Sequence, residues 1–321
     1  MVSDGGLVIG VDVGGSKVLA SEVLSSGEVA TTARRMTPGA DAAATQVEDA
    51  LTEAVQEVAG GRVVAAVGVG AAGFVDAAGD RVMFAPHLPW RDDPVRSRLA
   101  DRWEVPVLLD NDANCAARAE IAFGAGRGVS SAVMVTLGTG IGGALVVDGA
   151  VHRGGQGMAG EFGHMQVVPD GHQCECGRRG CWEQYCSGRA LVDHARHRMS
   201  QQPTLLEELC GGNPDALTGP MVTRAAEDGD LVAREAFTYV GEWLGVGVAN
   251  LVAAFDPEVV IVAGGVSAAG DRLLSPAREA LGRSVVGAAY RVVPPIVAAA
   301  LGPLAGVVGA AEMARQLVTD A

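Results

Sequence analysis

The sequence predicts an α/β protein of two domains. Three features carry this reading: a length of 321 residues, an alternation of short β-branched runs with helix-spaced segments, and two glycine-rich turns that each join apolar strands. Hydrophobic residues make up 49% of the chain, enough for a sizeable core, while aromatics make up only 4% and glycine occurs 45 times. Such a core is built of Val, Ala and Leu in close-packed layers with many special turns.

The elements follow in order. Leu7–Val13 is an apolar, β-branched run ending in Gly14-Gly15, and Val18–Leu24 returns from that turn as a hairpin. Within Asp41–Ala59, Val47, Leu51, Val55 and Val58 fall at helical spacing. Val63–Val69 and Val105–Leu109 read as buried strands, and Ala113–Phe123 as a helix starting just beyond Asp112. A second hairpin pairs Ala132–Leu137 with Ala144–Val147 and echoes the first, as a duplication would. After an irregular Gly- and Cys-rich stretch, helices are expected at Ser187–Met199, Met221–Asp228 and Leu231–Phe255. In the last, Gly241 and Gly245 share a face, which suits close packing of a neighbour. Val259–Ala263 is a strand ending in Gly264-Gly265; a strand near Ile296 and a helix from about Ala305 close the chain. With no low-complexity linker, the domain boundary expected near residue 112 is a hinge.

Net charge is −14, a surface that repels nucleic acid and acidic lipid. Gly or charge interrupts every apolar stretch before a membrane span is reached, and Met1 to Gly6 lacks the marks of a signal peptide. Six cysteines in a chain this large, without a secretory signal, argue against a disulfide framework and for the cytoplasm.

Asp12-Val13-Gly14-Gly15-Ser16-Lys17 sets an acid, a hydroxyl and a cation around two glycines at a strand end. Backbone N–H groups in such a turn can cradle phosphate, and Asp12 can position Mg²⁺. A plain tight hairpin fits these residues equally well, and the order Ser16-Lys17 departs from a Walker A loop. Leu137-Gly138-Thr139-Gly140-Ile141-Gly142-Gly143 has more glycine than chain reversal needs and reads as a phosphate nest.

Val107–Leu109 runs into Asp110-Asn111-Asp112, polar residues at the carboxyl end of a buried strand, where α/β proteins place ligands. Asp112 is the candidate general base for a hydroxyl nucleophile and Asn111 its orienting neighbour, although one of the three can serve as a helix cap. Glu161 and His164, in a glycine-flanked loop, suit a ligand with many hydroxyls. Cys174, Cys176 and Cys181 with His164 make a Cys₃His set of the structural Zn²⁺ type; His172 lies nearer in sequence and rivals His164 as the fourth ligand.

Taken together, Asp12–Lys17, Leu109–Asn114, Leu137–Gly143, Gly160–His164 and Cys174–Tyr185 resemble the ROK family of bacterial sugar kinases and repressors, nearly end to end. Within it the likeness is to actinobacterial glucokinases. The resemblance implies an actin-like ATPase (ribonuclease H-like) fold with an active-site cleft between two domains. The small domain would span residues 1–112, joined by a C-terminal helix at about 303–321, and the large domain 113–302 would carry the zinc loop. It implies transfer of the γ-phosphate of ATP to the 6-hydroxyl of glucose, with Asp112 as base, Mg²⁺ accompanying ATP and zinc as a structural ion. Gly73, Asn111, Glu161, His164 and Glu183 would read the sugar. Asp12, Gly14, Gly15, Ser16, Lys17, Gly138, Thr139 and Gly140 would hold the phosphates, and Gly264 and Gly265 would pass near adenosine. A homodimer or tetramer is implied as well.

Ser16 stands where Thr is usual, and Ala72-Gly73 where Pro-Gly is frequent. Alternatives are a related kinase for N-acetylmannosamine, mannose or fructose, polyphosphate as donor, and a non-catalytic sugar-sensing ROK protein. About a dozen residues precede Asp12, too few for the DNA-binding motif expected of a repressor.

Overall fold

A computed structural model describes residues 6–319. The first five residues and the last two, which the expected small domain and C-terminal helix included, lie outside the described residues. The chain divides into two compact units: one takes the residues up to Ser130, Ala144–Gly160 and those from Ala300 on; the other takes Ser131–Gly143 and Glu161–Ala299.

In the first unit the strands and helices run β1 (Leu7–Val13), β2 (Lys17–Val23), β3 (Val29–Met36), α1 (Ala44–Ala59), β4 (Val64–Ala71), β5 (Phe74–Val75), β6 (Val82–Phe84), β7 (Arg91–Asp93), α2 (Val95–Trp103), β8 (Val107–Asn111) and α3 (Asp112–Phe123). The main sheet has the order β3-β2-β1-β4-β8, antiparallel through the two hairpins and parallel from β1 to β8. The apolar stripe of α1 (Val47, Leu51, Val55, Val58) covers one face and forms a single core with Ile9, Val11, Val13, Val67 and Val69.

Next come β9 (Ala132–Leu137), β10 (Ile141–Val147) and β11 (Ala150–His152), then α4 (Gly188–Met199), α5 (Leu205–Leu209), α6 (Gly219–Glu227), α7 (Leu231–Phe255), β12 (Val259–Ala263), α8 (Asp271–Ser284), β13 (Ile296–Ala298) and α9 (Ala305–Thr319). The second sheet has the order β11-β10-β9-β12-β13, with β9, β12 and β13 parallel. Its strand order matches that of the first sheet, so the echo between hairpins extends to whole sheets. Among the described residues no helix is long and apolar enough to cross a membrane.

Returning from the second unit, α9 packs on β1 and β4 at a distance that only glycine permits. A Cβ on Gly10 would stand 1.9 Å from the Val307 carbonyl oxygen, and one on Gly68 1.8 Å from that of Ala310. Against α3 the approach is closer still: a Cβ on Gly309 would fall 1.6 Å from the Cys115 carbonyl oxygen. Gly309→Ala is therefore expected to force the two helices apart, at a cost of about 3 kcal/mol. In a thermal melt this should read as a drop of roughly 6–12 °C.

The same packing sets the extent of the first unit, which runs to Ser130 and also takes Ala144–Gly160. The reason is α3, which lies against α9 and carries the buried Glu120. The Glu120 carboxylate accepts hydrogen bonds from the backbone N–H groups of Ala125 (2.7 Å), Ala300 (3.0 Å) and Leu301 (2.8 Å), tying the chain where it leaves this unit and where it returns. In the second unit, α7 and α8 pack through Gly241 and Gly245: a Cβ there would lie 2.6 Å from the Leu273 carbonyl oxygen and 2.4 Å from that of Ala277.

Candidate functional site

The turn from β1 to β2 is closed by Gly14 N–H donating to the Lys17 carbonyl at 3.0 Å. Thr37, just past β3, braces it: its hydroxyl donates to the Gly14 carbonyl (2.7 Å) and its N–H to that of Ser16 (3.2 Å). Gly15 and Ser16 are exposed, and the backbone of Gly15 passes so near His87 that a Cβ would come within 2.5 Å of the His87 Cβ. Burial pushes the Asp12 carboxyl above its usual range, and the charge of Lys17 pulls it back down. Lys17 is the only lysine in the sequence; the other 23 residues counted as Lys and Arg are arginine.

The three polar residues at the end of β8 divide their work. Asp110 is buried and structural: its Oδ1 accepts from Asn111 N–H (2.8 Å), Asn114 Nδ2 (2.9 Å) and Arg153 Nε (3.1 Å). Asn111 is the helix cap: its Oδ1 accepts from the N–H groups of Ala113 (2.9 Å) and Asn114 (3.2 Å), and its Nδ2 donates to the Gly73 carbonyl (3.1 Å). Gly73 is pinned in turn, since a Cβ there would meet the Phe84 carbonyl oxygen at 2.7 Å. Asp112, half-buried, opens α3 with its Oδ1 accepting from Ala113 N–H at 2.9 Å.

In the second unit the turn Gly138–Gly140 abuts the start of α4, where Gly188 N–H donates to the Gly138 carbonyl at 2.7 Å. Gly264 follows β12 at φ +88°, and a Cβ on it would lie 2.4 Å from the Leu137 carbonyl oxygen. Gly138, Thr139, Gly188, Gly265 and Val266 form one side of a cavity of about 750 Å³; residues of α4 and α6, among them Arg189, Asp193, Arg196, Pro220, Thr223 and Glu227, form the rest. The sequence reading had placed Gly138, Thr139 and Gly265 together but missed the α4 and α6 residues. Nothing in their local pattern marks them; the fold alone brings them to the glycine loops.

Glu161 and His164 flank a short 3₁₀ turn pressed onto the start of β10: a Cβ on Gly163 would meet the Ile141 carbonyl oxygen at 2.5 Å. Burial pushes the Glu161 carboxyl up, His164 draws it down, and the Glu183 carboxylate raises it again. Glu183 reaches toward the second glycine turn, where a Cβ on Gly140 would stand 2.6 Å from its Oε2. Its Oε1 lies 3.7 Å from His164 Nδ1 and accepts from the Cys174 thiol at 3.1 Å.

The ligand atoms of His164, Cys174, Cys176 and Cys181 all fall within 4.8 Å of one another. Cys176 Sγ and Cys181 Sγ are 3.6 Å apart, and Cys174 Sγ lies 3.8 Å from His164 Nδ1. A tetrahedral ion with Zn–S bonds of ~2.3 Å requires S···S separations of about 3.8 Å, so the donor set fits such an ion. Of the two histidines it is His164 that lies among the thiols, while the His172 ring packs on Tyr185, 5.0 Å between centroids. Burial and the hydrogen bond to Glu183 push the Cys174 thiol up to about 12, so a bound cation is what would hold it as thiolate. Trp182, fully buried beside Cys181, bolts this loop to α7: its Nε1 donates to the Trp243 carbonyl at 2.8 Å, and a Cβ on Gly247 would strike its ring at 2.0 Å. Cys115, Cys186 and Cys210 are buried apart from the cluster.

The sequence pattern of the ROK family matches residues 8–317. A glucokinase of Streptomyces coelicolor is 42% identical over 314 residues, covering 97% of this chain and 98% of that protein. Among solved structures, a ROK family glucokinase from Streptomyces griseus in complex with glucose and AMPPNP is 44% identical, with a TM-score of 0.88 over 97% of this chain and 100% of that one. The ROK hexokinase of Thermus thermophilus is 33% identical, with a TM-score of 0.78 over 98% of this chain and 99% of that one. The ligand cluster, the glycine turns and the two sheets of like strand order thus sit in a chain that, along nearly its whole length, belongs to the ROK family.

Proposed function

We propose that this chain is a glucokinase that transfers the γ-phosphate of ATP to the 6-hydroxyl of glucose. One observation carries the chemistry: Asp112 places a half-buried carboxylate where β8 ends and α3 begins, the strand end at which α/β proteins place ligands. The acceptor and donor are supported by the glucokinases at 42–44% identity, one of them solved with glucose and AMPPNP.

In this reading Asp112 takes the proton of the attacking hydroxyl and aligns it. Asn111, fixed by its cap bonds and by Gly73, orients the sugar beside it. Glu161, Glu183 and His164 each satisfy sugar hydroxyls, and because they are half-buried, a sugar lacking one hydroxyl would strand a polar group. His164 meets the cysteine cluster through Nδ1, which leaves Nε2 for the sugar. Zn²⁺, held by His164, Cys174, Cys176 and Cys181, would supply structural rigidity to this loop. Gly14, Gly15, Ser16, Lys17, Gly138, Thr139 and Gly140 are the candidates to receive the phosphates, with adenosine in the cavity beside Gly264 and Gly265. Asp12 would hold Mg²⁺, which neutralises phosphate charge when bound. A homodimer or tetramer in the cytoplasm, where thiols stay reduced and ATP is available, completes the assignment.

The test is an ADP-release assay with Mg-ATP against glucose, mannose, fructose, N-acetylglucosamine and N-acetylmannosamine. A clear preference for glucose supports the reading. Preference for another sugar keeps the mechanism and changes the acceptor. Polyphosphate in place of ATP measures donor range in the same format.

Lys17 gives a sharper check on the phosphate turn. Across the chain arginine serves wherever a cation is needed, except here, so the role at this position is one for a compact ammonium. Lys17→Arg, although it keeps the charge, is expected to raise the KM for ATP by about tenfold or more with little change in the KM for glucose. Unchanged ATP kinetics would remove Lys17 from the phosphate site.

A further inference from the structure

The second unit holds another cavity, of about 590 Å³, that none of the assigned roles uses. Its wall includes His172 and Gln173 from the loop ahead of Cys174, Gln184 next to Glu183, His194 and His197 from α4, and Tyr239 from α7. Three of the six histidines in the chain therefore converge on one cavity. The His194 ring lies flat on Tyr239, with 4.1 Å between centroids and 15° between planes.

The chemistry of this wall is selective. Imidazoles, side-chain amides and a phenol all supply N–H or O–H donors, and a neutral imidazole still carries one. Asp193, the one carboxylate among the lining residues, is held by Arg196 at 2.8 Å. In a chain of net charge −14, a donor-rich wall whose only acid is already paired is suited to an anion. The volume exceeds what inorganic phosphate fills and lies in the range of small-molecule sites. Amides suit hydroxyls, and the face of a ring suits the apolar face of a sugar.

The wall also touches the residues assigned to the reaction. Gln184 Nε2 donates to Glu183 Oε1 at 3.4 Å, Gln173 adjoins Cys174 in sequence, and His172 N–H donates to the Tyr185 hydroxyl at 2.8 Å. A ligand that draws on Gln184 and the His172–Gln173 segment would disturb both a sugar-reading carboxylate and the metal loop.

We propose that this cavity binds a phosphorylated hexose, the class of molecule the reaction produces, and that its occupancy weakens acceptor binding through Gln184 and Glu183. The coupling rests on the glucokinase reading; the binding does not, because calorimetry needs no turnover.

The experiment uses the full chain loaded with zinc, with glucose and a non-hydrolysable ATP analogue at saturation. Glucose 6-phosphate and inorganic phosphate are titrated in separate runs. The expected result is a glucose 6-phosphate site that persists under saturation and binds inorganic phosphate at least about tenfold more weakly. His194→Gln and His197→Gln should each reduce glucose 6-phosphate affinity by about tenfold, with kcat and the KM for glucose in its absence unchanged. His197 is exposed, so that variant stays folded even if the loss of the His194–Tyr239 stack does not prove neutral. In steady state, glucose 6-phosphate should raise the KM for glucose in the wild type and do so less in His197→Gln. Loss of the binding signal under saturation would assign the product to the reaction site alone and overturn the proposal. Equal affinity for inorganic phosphate, or full affinity in both histidine variants, would overturn it too. If glucose is not the acceptor but the calorimetric site is present, the functional reading fails and the cavity assignment stands.

Discussion

Asp112→Asn is expected to slow turnover by about 10²–10⁴-fold, the usual scale for losing a general base, while the fold and glucose binding persist. Asparagine is nearly isosteric, and its Oδ1 can still accept from Ala113 N–H as Asp112 does at 2.9 Å. The helix keeps its cap because Asn111 also accepts from Ala113 N–H and accepts from Asn114 N–H as well. The wall behind is untouched, since Asp110 holds Arg153 and Asn114 independently. What disappears is the negative oxygen that can take a proton from a sugar hydroxyl. The check is kcat by the ADP-release assay, paired with glucose binding by calorimetry and a circular dichroism melt. Near-normal turnover would remove Asp112 from the mechanism. A parallel loss of binding and stability would show that the residue acts structurally.

Cys176→Ser is expected to lose metal and acceptor affinity together. Cys176 is the exposed member of the cluster, so the substitution leaves the buried packing alone and removes one ligand of the four. Cys176 sits at the tip of the loop, where Cys174 N–H donates to the Arg178 carbonyl (2.8 Å) and Gly177 N–H to that of Cys174 (3.0 Å), while most of the side chains face solvent. His164 and Glu183, both assigned to the sugar, lie within or against the cluster. Glucose affinity should therefore fall by about 10–100-fold, the scale seen when groups orienting a metal site are removed. Elemental analysis should find zinc in the wild type and little in the variant. Cys210→Ser, buried apart from the cluster, serves as the control and should keep both. Absence of zinc from wild-type protein grown in zinc-replete medium would sink this account of the loop.

Much of the fold was legible because its strongest signals are local. β1, β9 and β12 are β-branched runs bounded by glycine, and α7 carries its apolar stripe across the span Leu231–Phe255 that the periodicity predicts. The elements absent from the sequence reading lack such signals. β3 (VATTARRM) is largely polar and exposed, and is a strand because it pairs with β2. α8 contains Pro276 and is a helix held against the glycines of α7. The strands β5 to β7 have two or three residues each and exist only through one another.

For the site, the residue types alone name the available chemistry: glycine turns, carboxylates at a strand end, and three clustered thiols with an imidazole near. Residue type and close spacing suffice for that, because turn conformation and ligand chemistry are local properties. Tertiary structure alone decided how neighbouring candidates divide their roles. Three polar residues in a row could each be cap or brace, and only the positions of Arg153, Asn114 and the first turn of α3 make Asp110 the brace and Asn111 the cap. His164 and not His172 meets the thiols because Gly163 seats its turn on β10, while Tyr185 holds the other ring. The boundary after Ser130, and the gathering of α4 and α6 around the second glycine turn, follow from contacts between segments far apart in the chain, which no short window of sequence records.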